Sequence, residues 1–112
     1  MLSQRESEVV RAVLSATVVG PFFPDWEFAT LMGVERDETR AVLDAWPDFA
    51  DTDDNRRAIN NAFVNLLGYP HDEWETWASF SDADEAEVEN TYGRWRQEAN
   101  RGAPQGHGGR LI

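Results

Sequence analysis

Apolar residues recur every three or four positions along most of this sequence, in segments that Gly and Pro separate. In the first segment Val9, Val13 and Leu14 follow this spacing, which places their side chains on one face of an α-helix. We predict that this helix covers about residues 4–19. It ends at Gly20, which is followed by Pro21. No segment alternates apolar and polar residues as a half-buried strand does. The pattern therefore predicts an all-α fold, a single compact domain of five or six short helices.

The other helix boundaries follow from the same signals, with Asp, Ser and Thr near the expected N-termini. Residues 1–100 form the predicted domain. From Arg101 the sequence RGAPQGHGGRLI is rich in Gly and has no periodicity, so residues 101–112 are predicted to be a flexible tail. Within the domain we predict further helices from Asp25 to Gly33, from Asp37 to Trp46, from a cap at Asp51, Thr52 or Asp53 to Gly68, around Trp74 and Trp77, and from Asp82 to Asn100.

The composition excludes several classes of protein. The chain has 112 residues, which fits one domain. It contains no cysteine, so disulfides, thiolate chemistry and cysteine-based zinc sites are excluded. No apolar run approaches the length that crosses a bilayer, and the first residues lack the pattern of a signal peptide. We therefore expect a cytoplasmic protein that does not act at a membrane.

Acidic residues far outnumber basic ones. Twenty-one Asp and Glu stand against ten Arg, the chain has no Lys, and the net charge is −11. A charge of this sign repels phosphate backbones and attracts basic partners. It also keeps a protein soluble, so the sequence leaves open whether the acidity has any further role.

The sequence TLMGVERDETRAVL has the spacing of a helix-turn-helix. Gly33 would supply the turn, and Phe28 and Val42 would supply apolar contacts between the two helices. Residues 28–43 resemble the helix-turn-helix of many bacterial regulators. The resemblance implies a helix-turn-helix-like pair at about 25–46.

A DNA-binding role for this pair would depend on Arg36 and Arg40. The second helix also carries Asp37, Glu38 and Asp44, so its charge is net negative. Specific DNA binding depends on neutralising phosphates, which an acidic helix does not do. We therefore keep a DNA-binding regulator as an alternative and do not expect a nucleic-acid partner.

The second half of the sequence combines carboxylates with aromatic rings. No Lys or Arg lies between Arg57 and Arg94, an interval that contains eight Asp and Glu residues. Aromatic side chains provide desolvated contact area, and carboxylates steer a basic partner. The same rings can instead fill a core and the same carboxylates can be merely solvated, so both interpretations stay open. The predicted partner-binding residues are Asp72, Glu73, Trp74, Glu75, Trp77, Asp82, Asp84 and Glu85.

No motif predicts catalysis, a metal or a cofactor. DTDDN at 51–55 begins like a calcium-binding loop, but Arg56 occupies the position of the required Gly, and Ala62 that of the bidentate Glu. His71 has no second histidine in the predicted domain with which to bind a metal ion. The sequence also has no catalytic-triad pattern, phosphate-binding Gly loop or HExxH motif. We therefore predict that the protein is not an enzyme.

The segment GPFFPDWEFATLMGVERDETRAVL, with NNAFVNLLGYP downstream, resembles small acidic all-helical bacterial proteins of unassigned function. The resemblance covers most of residues 8–97 and implies no activity. Size, acidity and aromatic content favour a protein-binding domain that acts by stoichiometric contact, as an immunity protein or antitoxin inhibits a basic partner. Two alternatives stay open: a helix-turn-helix regulator, and a structural or assembly adaptor. The sequence does not predict the oligomeric state.

Overall fold

Six helices account for most of residues 2–69 and 71–101, the part of the chain that the computed structural model describes. No strand occurs in these residues, so the predicted all-α fold is confirmed. No helix among them has the length and apolar character needed to cross a bilayer. The predicted tail lies outside the described residues, except that Arg101 is the last residue of the final helix. The helices are α1 (Gln4–Val19), α2 (Asp25–Met32), α3 (Arg36–Ala45), α4 (Asp53–Gly68), α5 (Trp74–Trp77) and α6 (Glu85–Arg101).

Helix α1 has the predicted bounds and begins at a capping box. The Ser3 hydroxyl accepts a hydrogen bond from the backbone N–H of Glu6 (3.0 Å), and the Ser3 N–H donates to the Glu6 carboxylate (2.8 Å). These bonds satisfy donors that a first helical turn leaves unpaired. The helix ends at Val19, and the N–H of Gly20 donates to the Ala16 carbonyl (2.9 Å).

Two predicted helix starts are corrected. Helix α3 begins one residue earlier than predicted, because the N–H of Glu35 donates to the Glu38 carboxylate (2.9 Å) and fixes the first turn there. Helix α6 begins three residues later, at Glu85. The reason is that the Asp84 carboxylate accepts from the N–H of Glu87 (2.8 Å) and so acts as the N-terminal cap.

Helix α4 packs against four other helices, α1, α2, α3 and α6. The face of α4 that they cover carries a stripe of buried apolar side chains. Burying one large apolar side chain contributes about 1.5–3 kcal/mol, so this stripe is a main source of stability. Helix α1 covers much of it and also packs on α3 and α6. The buried stripe of α4 consists of Ala58, Ile59, Ala62, Phe63 and Leu66.

The proline-bracketed connection between α1 and α2 folds onto this core. Both Phe22 and Phe23 are buried, so the pair has a structural role. The Phe22 ring lies 5.0 Å from the ring of His71 and 6.0 Å from that of Phe80, between centroids. The Phe23 ring lies 5.7 Å from the ring of Tyr69. The connection therefore holds the segment that follows α4 against the rest of the domain.

Two asparagines of α4 hold α2 in place. The Asn61 amide donates to the Met32 carbonyl (2.7 Å), and the Asn65 amide donates to the Leu31 carbonyl (2.9 Å). Carbonyls in the last turn of a helix have no partner within the helix, so these bonds satisfy groups that would otherwise be unpaired. Gly33 follows with a φ of 74°, the left-handed conformation that ends α2.

Replacing Asn65 with Ala tests this attachment. The Asn65→Ala variant loses the bond to Leu31 but gains helix propensity, so we expect a net loss of about 1 kcal/mol in the free energy of unfolding. Urea denaturation measures the change. The neighbouring variant Val64→Ala is the control, since the Val64 side chain is exposed and its truncation should change stability by less than about 0.5 kcal/mol. Equal stability of the two variants would contradict the assigned role.

Candidate partner-binding groove

Buried contacts position the segment between α4 and α6, which carries the predicted partner-binding residues. In this segment Nδ1 of His71 accepts a hydrogen bond from the N–H of Glu73 (2.9 Å). The ring proton therefore lies on Nε2, which donates to the Leu66 carbonyl (2.9 Å). His71 thus links the end of α4 to the start of α5, and both of its ring nitrogens are engaged.

Trp77 is a core residue. Its side chain is 3% exposed, and its indole N–H donates to the Ala83 carbonyl (2.7 Å). A buried indole N–H requires a partner of this kind. The ring therefore supports the loop before α6 from within and offers little surface, and the role of Trp77 as an anchor stays a prediction from the sequence.

A groove of about 370 Å³ opens between α5 and the start of α6. Its aromatic wall is Trp74, which is half-buried and packs edge-on against Trp77 with 6.3 Å between ring centroids. Five of the eight predicted residues line it, and Asp72, Glu73 and Glu75 do not. The residues that line the groove are Trp74, Trp77, Ala78, Ser81, Asp82, Ala83, Asp84 and Glu85.

The three predicted carboxylates outside the groove differ in their surroundings. Asp72 and Glu75 are exposed. Glu73 is half-buried and accepts a hydrogen bond from the Thr76 hydroxyl (2.9 Å), so it stabilises the turn of α5. Asp72 and Glu75 therefore add negative charge near the groove, whereas Glu73 has a structural role.

Arg5 of α1 binds two carboxylates beside the groove. Its guanidinium contacts Asp82 at 2.7 Å and Glu87 at 2.7 and 3.0 Å. Hydrogen bonding to Arg5 lowers the pKa of Asp82 and the pKa of Glu87 below their ordinary values. The bonds to these two carboxylates raise the pKa of Arg5. Asp82 is thus partly neutralised, whereas Glu85 is exposed at the mouth of the groove.

Arg36 makes structural contacts within the domain. Its guanidinium donates to the carbonyls of Val18 (2.8 Å) and Thr17 (3.3 Å) at the end of α1, and to the Asp25 carboxylate (2.7 Å). It also lies over the Phe28 ring, 4.2 Å from the centroid. Cations at a helix C-terminus are favourable because the last carbonyls carry partial negative charge. Binding a phosphate would require breaking these contacts.

The exposed face of α3 is therefore more acidic than the sequence indicated. With Arg36 turned inward, Arg40 is an exposed basic residue among the exposed Asp37, Glu38 and Asp44. The two helices and the Gly33 turn of a helix-turn-helix are present. However, α2 packs mainly on α4, and α3 packs mainly on α1 and α4. The similarity to a helix-turn-helix thus lies in the connection between α2 and α3.

Trp26 is a surface aromatic that the sequence analysis did not single out. It lies on α2 and is 81% exposed, the most exposed large apolar side chain in the described residues. The sequence could have predicted this exposure, because on a helix residue 26 lies opposite the buried face that carries Phe28 and Met32. An exposed aromatic ring is therefore present on α2.

The described residues contain no group of three or more His, Asp or Glu side chains arranged to hold a metal ion. No protein-family model matches the chain, and no curated protein or solved structure matches it significantly. Its function is therefore inferred from the geometry of the groove.

Stability should depend on pH through Arg5. A carboxyl whose pKa is lowered by folding stabilises the fold above its unfolded pKa, and this contribution is lost as the pH falls through the folded pKa. We expect Arg5→Gln to be less stable than the wild type near neutral pH, with the difference shrinking between about pH 5 and about pH 3. Urea denaturation across this range measures it. A difference independent of pH, or one reproduced by Arg40→Gln, would contradict the assignment.

Acrylamide quenching of fluorescence tests the exposure of the tryptophans. Because Trp26 is 81% exposed and Trp77 is 3% exposed, Trp26→Phe should lower the quenching constant strongly, whereas Trp77→Phe should not lower it. Trp74→Phe should have an intermediate effect, since its ring is half-buried. An unchanged quenching constant in Trp26→Phe would show that this ring is covered.

Proposed function

We propose that the protein is a binding domain that acts by stoichiometric contact, and that its groove holds a basic segment of a partner protein. The observation that carries the proposal is that Trp74 shares one groove with Asp82, Asp84 and Glu85. An aromatic wall gives contact area that loses water on binding, and the carboxylates select positive charge.

Internal contacts limit which groove residues select the partner. Asp82 is bound by Arg5, and Asp84 caps α6, so both already accept hydrogen bonds within the domain. Glu85 and the nearby Glu75 are exposed. We therefore assign the anchoring role to Trp74 and the steering role to Glu85, with Glu75 adding to the negative field.

The net charge supports a basic partner. At −11 the chain attracts positively charged proteins over a distance set by the ionic strength, which speeds their encounter. In its more specific form, the proposal is that the domain inhibits a basic protein in the cytoplasm, as an immunity protein or antitoxin does. This inhibition would require binding alone, without a chemical reaction catalysed by the domain.

The two alternatives have less support. A DNA-binding role would need Arg36, whose guanidinium is engaged by the end of α1 and by Asp25. An adaptor role would need a second surface, for which exposed Trp26 is the candidate. Trp26 is therefore the matched comparison for Trp74 in a binding experiment.

Comparing three immobilised forms tests the proposal. The wild type, Trp74→Ala and Trp26→Ala are exposed to nuclease-treated lysate of the native host, and retained proteins are quantified. We expect one basic protein in stoichiometric amount on the wild type and on Trp26→Ala, and far less on Trp74→Ala. With the partner purified, Trp74→Ala should weaken binding by about tenfold or more.

A charge-matched pair tests the steering role. Glu75→Lys with Glu85→Lys should slow association and reduce its dependence on salt, because it reverses charge at the groove. The control, Asp37→Lys with Asp44→Lys, makes the same change in net charge on α3 and should have a smaller effect. Equal effects of the two pairs, loss of binding in Trp26→Ala alone, or no protein retained by the wild type would contradict the proposal.

A further inference from the structure

A pocket lies on another part of the molecule, between α4 and α6. Its volume is about 510 Å³, within the range of small-molecule sites. Three of the ten arginines of this acidic chain line it: Arg56, Arg57 and Arg96. Asp53 is the one carboxylate among the lining residues. The lining residues thus carry more positive than negative charge in a chain whose net charge is −11.

Two of the three arginines have contacts within the domain besides their ion pairs. The Arg57 stem lies against Gly33, where a β-carbon added to the glycine would come within 2.8 Å of Cδ of Arg57. Arg96 lies over the ring of Tyr92, 5.6 Å from its centroid. The Tyr92 hydroxyl in turn donates to the side-chain oxygen of Asn60 on α4 (2.7 Å). Arg57 on α4 and Arg96 on α6 thus each contact another residue of the domain, and both line the pocket.

The ion pairs of these arginines leave them able to bind an anion. Arg56 pairs with Asp51 (3.3 Å) and Asp53 (2.9 Å), and Arg57 pairs with Asp54 (2.8 Å). The side chains of all three carboxylates are more than half exposed. Exposed ion pairs of this kind contribute little, so a doubly charged anion can replace them.

We propose that this pocket binds a small phosphomonoester, with the phosphate between Arg57 and Arg96. Guanidinium groups match phosphate oxygens in geometry and charge. The apolar part of the ligand would lie along Trp95 and Ala99, which line the same pocket. A small ligand is favoured over a nucleic acid because the negative charge of the rest of the chain repels a polyanion. This inference is independent of the partner-binding groove.

Titration by NMR tests the proposal, with adenosine monophosphate and inorganic phosphate as probes at constant ionic strength. We expect saturable shifts of the amide signals around Arg57, Asn60 and Arg96, with tighter binding of the nucleotide than of inorganic phosphate. Arg96→Gln should weaken nucleotide binding by about tenfold, the effect of one charge-assisted hydrogen bond. The matched control, Arg40→Gln, removes the same charge from an exposed position on α3 and should leave the affinity unchanged.

Several outcomes would overturn the proposal. Shifts that do not saturate, or equal weakening in Arg40→Gln and Arg96→Gln, would show general attraction of anions to the surface. Equal binding of succinate would show a site for any dianion. Tighter binding of a short oligonucleotide than of the mononucleotide would indicate a nucleic-acid surface. Thermal unfolding of each variant checks that it is folded. We expect both variants to be folded because Arg96 and Arg40 are exposed.

Discussion

The burial of one face of α4 is the constraint on which the rest of the structure depends. Its apolar stripe contacts α1, α2, α3 and α6, so these helices have few other ways to arrange themselves around it. The polar edges of the same helix then determine the details. Asn61 and Asn65 satisfy the last carbonyls of α2, and Asn60 accepts from Tyr92 of α6. The pocket between α4 and α6 lies beside this central helix because α6 packs on it.

Several of the arginines of this acidic chain hold helices together. Arg36 satisfies carbonyls at the end of α1, and Arg11 donates to the Trp46 carbonyl just after α3 (2.9 Å). Arg5 joins α1 to the start of α6 through Asp82 and Glu87. In these contacts Arg36, Arg11 and Arg5 bind carbonyls and carboxylates of the domain itself. Arg56, Arg57 and Arg96 line the pocket for which we propose an anion-binding role.

The tryptophans are divided between the core and the surface by their tertiary surroundings. Trp46, Trp77 and Trp95 are buried, Trp74 is half-buried, and Trp26 is exposed. A half-buried ring beside carboxylates keeps its geometry without a partner and still offers contact area, which suits a binding groove. This division separates the structural residue Trp77 from the proposed anchor Trp74, although the two are one helical turn apart.

The sequence by itself determined the helices, because apolar spacing, Gly, Pro and capping residues act over a few positions; the capping box at Ser3 and the stop at Gly20 are examples. The start of α6 was less determined, since it was predicted at Asp82, whereas the helix begins at Glu85 after the Asp84 cap. The exposure of Trp26 could have been predicted from the helical period of α2, which places this residue opposite the buried face. Only the tertiary structure decided that Trp77 is buried, that Arg36 points inward, and that Arg57 and Arg96 share a pocket. Each of these depends on which distant segment packs beside the residue, and local spacing carries no information about that.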